Sequence, residues 1–239
     1  MSPATEAPSL RWVVLASLVA LGLRCYALGA NSLWMDEVAT LQVARNSLVT
    51  IPEAALHQNA FEPPLYFWLV HLVTGVAGWS EAALRGLSAV AGAAAVPLLW
   101  YLVRELDGSV LAADLAAGLA AVNPLLLWYA QEARPYALVS ALGLASLASL
   151  AAALRRGRLR YWVGYAGFGA LALLSHAVAV VFPAIAALWV VLSRQPRRAL
   201  PRFLVATAGM LLAIAPFLVA LGRSVAGADG TGSPPRPLT

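Results

Sequence analysis

The chain alternates long apolar segments with short polar ones. Apolar segments recur at about 12–28, 64–78, 85–103, 110–129, 135–154, 161–175, 177–192 and 203–221. A helix needs roughly 20 predominantly apolar residues to cross a bilayer, and about 17 to 25 is the usual range. Most of these segments are long enough, whereas 64–78 is short and begins with a proline pair. The pattern predicts an all-α, polytopic integral membrane protein.

The positions of the arginines choose between two topologies. Cytoplasmic loops of membrane proteins carry an excess of Lys and Arg. If 64–78 crosses, the arginines of 155–160 and 194–202 move outside, against this rule. If it does not cross, about seven transmembrane helices result and ten of the 16 arginines are cytoplasmic. These are Arg11, Arg104, Arg155, Arg156, Arg158, Arg160, Arg194, Arg197, Arg198 and Arg202.

Two parts of this topology leave alternatives open. The first segment follows Arg11 and predicts an uncleaved anchor, with a cleavable signal peptide as the competing interpretation. The segments 161–175 and 177–192 are short for a crossing, so they form either a tilted pair or a re-entrant hairpin.

We expect residues 1–221 to form one membrane module. Residues 222–239 are expected to begin an extracytoplasmic segment or to be a disordered tail.

Composition supports the membrane assignment and excludes other classes. Hydrophobic residues make up 61% of the 239 residues, charged residues make up 11%, and the mean hydropathy is +0.77. A chain of this length cannot bury that much apolar surface in one globule, so lipid is its solvent. The net charge of +5 comes from arginine and is explained by topology, so no nucleic-acid partner is expected. The single Cys25 excludes an intramolecular disulfide and a cysteine metal site.

Polar residues collect on the outer face in this topology. The first outer loop, about 31–84, is long, and its parts 36–45 and 52–57 are predicted to be short helices lying along the interface. The segment 64–76 mixes aromatic residues and a histidine into an apolar run, which is typical of a helix in the headgroup zone. An aromatic belt on a crossing helix is the alternative. The outer polar residues are Asp36, Glu37, Glu53, His57, Glu62, Glu81, Arg85, Glu132, Arg134 and His176.

The second outer loop predicts an anion-binding site. It contains Glu132 and Arg134 just before Pro135, which occupies a first-turn position that tolerates proline. A helix N-terminus offers free N–H groups and the positive end of the helix dipole, so Arg134 beside one makes a pocket for a phosphate. Two alternatives stay open: Arg134 contacts lipid headgroups, or Glu132 is merely its salt-bridge partner.

Four motifs along the chain together resemble those of the membrane-embedded glycosyltransferases of the GT-C fold. The chain is similar to their bacterial branch, which includes protein O-mannosyltransferases (glycosyltransferase family 39) and lipid A aminoarabinose transferases. The resemblance covers roughly residues 10–221 and rests on the order and spacing of the motifs. They are Trp34-Met35-Asp36-Glu37, Glu62-Pro63-Pro64-Leu65-Tyr66, Arg85 at the start of a span, and Gln131-Glu132-Ala133-Arg134-Pro135-Tyr136.

The resemblance implies a sugar transfer on the outer face of the cell (inner) membrane. The donor would be a polyprenyl-phosphate-linked sugar, the acceptor a lipid, glycan or protein hydroxyl, and the anomeric centre would be inverted. Asp36 matches the family's first-loop acid and proposed general base, a role that suits a carboxylate because an acceptor hydroxyl is a poor nucleophile. Arg134 would stabilise the departing phosphate. The substrate-binding residues implied are Glu37, His57, Glu62, Tyr66, Arg85, Glu132, Arg134, Tyr136 and His176.

The sequence also departs from the family and leaves other functions open. Relatives often have an acid after the second-loop arginine, whereas Glu132 precedes Arg134 here, and they usually continue into further spans. His57 and His176 could hold substrate hydroxyls or a divalent ion, although no metal site is assigned and an ordinary polar histidine is the alternative. A non-catalytic scaffold and a transporter are the rival functions. A transporter is expected to have mid-span charges, for which Asp114 is the candidate.

Overall fold

The computed structural model describes residues 10–58, 62–106, 108–192 and 196–230, and these contain helices but no strand. Predictions for Arg194 and for residues 231–239 lie outside the described residues. A 3-10 turn, Ala177–Val180, leads directly into α10. The helices are α1 (Leu10–Cys25), α2 (Met35–Ala44), α3 (Ile51–Gln58), α4 (Leu65–Ala77), α5 (Glu81–Glu105), α6 (Val110–Val122), α7 (Pro124–Ala130), α8 (Tyr136–Arg156), α9 (Leu159–Leu173), α10 (Val181–Leu192) and α11 (Pro196–Gly230).

Three described helices are long and apolar enough to cross a membrane. They are α5, α8 and the part of α11 from Ala199 to Ala226, and the bent pair α6 and α7 makes a fourth if it counts as one span. The predicted count of seven is therefore not confirmed and stays a prediction. The 13 residues of α4 span only about 20 Å at 1.5 Å per residue, less than the roughly 30 Å of a hydrocarbon core. The interfacial position predicted for α4 also stays a prediction.

The segment 110–129, which the sequence predicts as one span, is broken in the middle. The helices α6 and α7 meet at an angle of 55° between Val122 and Pro124. Pro124 occupies the first turn of α7, where its missing N–H costs nothing, and the Asn123 side chain accepts a hydrogen bond of 3.0 Å from Leu126 N–H. Because the chain has a complete helix start here, α7 turns away from α6 and leads into the second predicted loop.

A buried arginine satisfies the end of α6 that this break exposes. Arg24 donates from Nη1 to the Ala121 carbonyl (3.0 Å) and from Nη2 to the Ala120 carbonyl (3.2 Å). Buried carbonyls at a helix end are costly when they have no donor, so a charged donor stabilises the bend. Gly92 of α5 makes room for this arrangement, because a Cβ there would lie 2.6 Å from the Ala130 Cβ and 3.0 Å from the Arg24 Nε.

The first-loop helices α2 and α3 pack on each other and on α4, and α4 packs on α5. Their buried apolar residues include Val43 of α2 and Ile51 of α3, which join Phe67 and Val70 of α4 in one hydrophobic cluster. The two short helices predicted in this loop are therefore present, with α2 and α3 close to the expected bounds. These helices cover the beginning of α5 and hold the first loop against the bundle.

The central helices α5 and α8 run in the same direction and define two ends of the molecule. Their beginnings meet through a hydrogen bond from Ser88 Oγ to the Arg134 carbonyl, and their ends meet through Arg155 and Glu105. We call the first the acid end and the second the arginine end. The 25 residues of α5 separate them by roughly 36 Å at 1.5 Å per residue, which is sufficient to cross a bilayer.

Candidate functional site

The acid end is built around a buried ion pair between Glu37 and Arg85. Glu37 is fully buried, and Arg85 binds both carboxylate oxygens, with Nε 2.8 Å from Oε1 and Nη2 2.6 Å from Oε2. The backbone N–H of Ala133 donates to the same Oε1 at 2.8 Å, and that of Trp34 donates to Oε2 at 3.3 Å. One carboxylate therefore joins the first loop, the start of α5 and the second loop.

Arg85 has further partners that fix the end of α1 and the loop after it. Its Nη1 donates to the carbonyls of Leu28 and Asn31, both at 2.9 Å, and its Nη2 donates to the Ser32 carbonyl at 3.2 Å. Burial favours neutral Glu37, but the hydrogen bonds from Arg85 and the Ala133 N–H hold the pKa of this carboxyl below its usual value. Glu37 is thus a charged, fully engaged group, which fits a positioning role better than substrate binding.

Two other acids lie next to this pair. Asp36 is half-buried, and its side chain diverges from that of Glu37 because successive helical residues point about 100° apart. Glu132 is also half-buried, and burial together with the charges of Glu37 and Asp36 raises the pKa of its carboxyl, against the opposing effects of Trp128 and Arg134. The hydrogen bond from Ala133 N–H to Glu37 joins two parts of the chain that are 96 residues apart. Asp36 and Glu132, the chain neighbours of these two residues, are therefore close enough to interact electrostatically.

A polar cavity of about 310 Å³ opens beside Glu132. Trp34, Trp128 and Gln131 line it together with the Glu37–Arg85 pair, and Gln131 Nε2 donates to the Tyr26 carbonyl at 2.9 Å. The sequence predicts no role for these three residues. Trp34 and Gln131 belong to the two motifs that contain Asp36 and Glu132. An indole or an amide next to such acids is the sequence feature that could have identified them. The cavity offers aromatic faces and hydrogen-bonding groups, which is the surface a sugar ring requires.

Arg134 is the centre of a second group of side chains, which we call the Arg134 cluster: Glu62, Arg134, Tyr136 and His176. Arg134 is 5% exposed, and its Nη2 lies 2.6 Å from Glu62 Oε1. His176 Nε2 lies 3.8 Å from the same oxygen. The Tyr136 ring contacts both, with its centroid 5.9 Å from the Arg134 guanidinium carbon and 5.4 Å from the His176 ring centroid.

The Arg134 guanidinium has unused donors. Its Nε and Nη1 are buried and have no hydrogen-bond partner among the described residues. Buried charged donors without partners are costly, and an anion with several acceptor oxygens would satisfy them. His176 reinforces this, because burial, assisted by the positive charge of Arg134, lowers the pKa of the imidazole despite the opposing charge of Glu62. The cluster therefore favours one cation, Arg134, over two.

Tyr66 is linked to the Arg134 backbone through Ser88. It is fully buried, and its hydroxyl lies 2.8 Å from Ser88 Oγ, which in turn donates to the Arg134 carbonyl at 3.0 Å. Because Ser88 uses its single proton on that carbonyl, the Tyr66 hydroxyl must be the donor to Ser88. The adjacent Leu65 N–H donates to the Leu174 carbonyl at 3.0 Å, which brings the start of α4 beside the loop that carries His176.

The structure brings most of the predicted site residues together. Ala133 N–H donates a hydrogen bond to Glu37. Asp36 precedes Glu37 and Arg134 follows Ala133, so both lie at the acid end. His57 is exposed on α3, and among the described residues no hydrogen bond or ion pair joins it to the Arg134 cluster. Among those residues there is also no group of three or more His, Cys, Asp or Glu side chains that could hold a metal ion. The residues brought together are Asp36, Glu37, Glu62, Tyr66, Arg85, Glu132, Arg134, Tyr136 and His176.

Helices long and apolar enough to cross a membrane make up the core of this chain, which is typical of an integral membrane protein. The model of the dolichyl-phosphate-mannose-protein mannosyltransferase family matches residues 61–222, about two thirds of the chain, and the chain belongs to this family. Membership points to a mannosyltransferase-type glycosyltransferase and implies a lipid-linked sugar donor. The match contains the Arg134 cluster but begins after Asp36 and Glu37. The search of curated proteins finds no match.

Proposed function

We propose that this protein transfers a sugar from a polyprenyl-phosphate donor to an acceptor hydroxyl at the acid end. The observation that carries this proposal is the buried Arg134 guanidinium, which has two unused donors and lies at the same end of the molecule as a cavity lined by Glu37 and Glu132. A lipid-linked donor has its phosphate where the apolar chain meets the polar sugar. A cation at the end of membrane-length helices is suited to bind that phosphate.

The reaction proposed is a single inverting displacement. The acceptor oxygen attacks the anomeric carbon on the face opposite the phosphate, the bond from that carbon to the phosphate oxygen breaks, and polyprenyl phosphate leaves. Asp36 takes the acceptor's proton as the new C–O bond forms. The Arg134 guanidinium stabilises the charge that develops on the leaving phosphate, an effect that is strong where water is excluded.

The three acids at this end have different proposed roles. Glu37 is fully engaged by Arg85 and by two backbone N–H groups, so it positions the loops. Glu132 lines the cavity and has a raised pKa, so it is suited to hydrogen-bond a sugar hydroxyl. Asp36 remains as the base, because it is half-buried beside them and belongs to the motif that resembles the family's first-loop acid.

The side of the membrane is proposed from the arginines. Arg104, Arg155, Arg156 and the residues that follow lie at the end of α5 and α8 opposite the site. An excess of arginine is typical of the cytoplasmic side, so we infer an extracytoplasmic site in the cell (inner) membrane and a topology of about seven spans.

The test is a transfer assay with mannosyl polyprenyl phosphate and the chain in membranes, with donor binding measured in parallel. Asp36→Asn should lower turnover by roughly 10² to 10⁴ while the donor still binds, because only the proton acceptor is lost. Arg134→Gln should weaken donor binding as well. Glu53→Gln is the matched control, because Glu53 is an exposed acid on α3 in the same loop.

The same assay separates the rival functions. Donor binding without transfer by the wild-type chain would favour a non-catalytic scaffold. Uptake of the donor's sugar into sealed vesicles without formation of a glycosidic bond would favour a transporter. Near-normal transfer by Asp36→Asn would remove Asp36 as the base.

A further inference from the structure

A second polar pocket lies at the arginine end, where the proposed transfer has no use for it. Its volume is about 390 Å³, and it opens between the ends of α5 and α8. This is the far end of both helices from Arg134 and Glu37. The lining residues are Trp100, Tyr101, Arg104, Glu105, Gly108, Arg155 and Arg156.

The pocket has an excess of positive charge. The described residues that line it include three arginines and one acid, Glu105. Glu105 is buried and pairs with Arg156 and, at 3.5 Å, with Arg155. Asp107 lies outside the described residues, yet the sequence stretches 104–109 and 155–160 together still contain five arginines and two acids. An anion would reduce the repulsion among these guanidinium groups.

Arg104 keeps capacity to bind an anion after its internal contact is made, and the other two arginines add positive charge around it. Arg155 donates to the carbonyls of Arg104 and Glu105, both at 3.3 Å, which offsets the negative end of the α5 dipole. Arg104 has five N–H donors, and among the described residues it makes one hydrogen bond, to the Gly108 carbonyl at 3.3 Å. The side chains of Arg155 and Arg156 are 46% and 39% exposed, so their guanidinium groups are accessible from outside.

The surroundings of the pocket point to a lipid as the source of the anion. The pocket lies where two membrane-length helices end, and Trp100, Tyr101 and Tyr161 are aromatic residues of the kind that marks a membrane–water boundary. Basic pockets between transmembrane helices bind the headgroups of anionic lipids. We propose that this pocket binds the phosphate headgroup of an anionic phospholipid, at a site separate from that for the sugar donor.

The test is native mass spectrometry of the full chain in detergent, titrated with phosphatidylglycerol or with phosphatidylcholine of the same acyl chains. The wild-type chain should bind phosphatidylglycerol more tightly. Arg104→Gln should weaken that binding about fivefold, the effect expected for one basic residue at a lipid surface. It removes the arginine with the fewest internal contacts, so Glu105 keeps both of its partners.

The matched control is Arg158→Gln, which removes the same charge from the same end but does not line the pocket. It should leave binding unchanged. Equal binding of the two lipids, or equal losses in Arg104→Gln and Arg158→Gln, would overturn the proposal. Competition by glycerol 3-phosphate as effective as that of phosphatidylglycerol would also overturn it, because it would identify the ligand as a free phosphate. Mannose transfer need not be measured, so failure of the proposed function would not affect this result.

Discussion

Asp36 and Glu37 are sequence neighbours with different surroundings, and helix geometry is the reason. The pair lies in the first turn of α2, where successive side chains point about 100° apart. Glu37 is directed inward to Arg85 and Ala133, and Asp36 is left half-buried beside Glu132. A buried carboxylate with a bidentate partner holds its proton poorly, which suits a structural role. Its neighbour Asp36, which has no such partner network among the described residues, is therefore the acid that we propose as the base.

We expect Glu37→Gln to destabilise the protein, because it leaves Arg85 buried without its counter-ion. Removing one partner of a buried pair costs about 3 to 5 kcal/mol. Thermal unfolding of the purified chain in detergent measures this. Glu53→Gln, at an exposed position on α3, should change stability by less than about 0.5 kcal/mol. Equal melting temperatures for the two variants would show that the Glu37–Arg85 pair does not hold the loops.

His176 should make the folded state sensitive to acid. Burial and the charge of Arg134 lower the pKa of its imidazole, so the unfolded chain binds a proton more readily than the folded chain does. The stability contribution is therefore complete above the unfolded pKa of about 6.5 and is lost as the pH falls through the folded value. The loss is at most about 1.4 kcal/mol per pH unit.

Melting curves of wild type and His176→Gln between pH 5 and pH 8 measure this effect, over a range centred on about 6.5. The variant should lose less stability on acidification, because glutamine binds no proton. His57→Gln, which replaces an exposed histidine, should follow the wild-type curve. Parallel curves for wild type and His176→Gln would contradict the assigned cause.

At the scale of elements, the sequence predicted most helices but not how one of them is broken. Apolar runs at 85–103 and 135–154 correspond to α5 and α8, since length and hydropathy alone define such spans. The run 110–129 has the same hydropathy, yet Asn123 and Pro124 divide it. A proline within an apolar run is compatible with a kink or with a new helix. The choice depends on Arg24, which satisfies the carbonyls at the end of α6 from another helix.

The close packing of α5 at this bend can be tested with two glycines of one helix. Gly92→Ala places a Cβ 2.6 Å from the Ala130 Cβ, so the bend must shift, and we expect a loss of about 1 to 3 kcal/mol. Gly86→Ala is the matched control, because nothing lies within 4 Å of a Cβ there. Alanine is the better helix former, so that variant should be neutral or more stable by up to about 1 kcal/mol. Melting temperatures of the two variants should therefore change in opposite directions or differ clearly.

At the scale of the whole molecule, the site could be predicted only in part. The sequence indicated which polar residues share a face, because a few spans and the arginines determine sidedness. Helix geometry predicts that Glu37 pairs with a nearby arginine or caps its helix, but it could not identify that arginine as Arg85, 48 residues away. Nor could it show that Trp34 and Trp128 line one cavity, since both relations depend on the packing of α5 against the second loop. His57 is predicted on the same face but is exposed on α3, so a shared face alone does not bring a residue into the site.

The proposed topology predicts that the two ends of α5 and α8 face opposite compartments. Cys25 is the single cysteine, so a Cys25→Ser background permits labelling at chosen positions. Ser80 precedes α5 at the acid end, and Leu159 is exposed at the start of α9 at the arginine end. Ser80 is preferable to Gly78, whose φ of +83° would strain a cysteine.

A membrane-impermeant maleimide applied to intact cells should label Ser80→Cys but not Leu159→Cys, and lysis should expose the second. Val76→Cys, which is 93% exposed near the end of α4, should behave like Ser80→Cys, because a 13-residue helix that stays on the outer side does not carry its end across. Labelling of Ser80→Cys only after lysis would move the acid end to the cytoplasm. The polyprenyl-phosphate donor would then have to be used on that side, and the excess of arginine at the other end would contradict the rule that led to the topology.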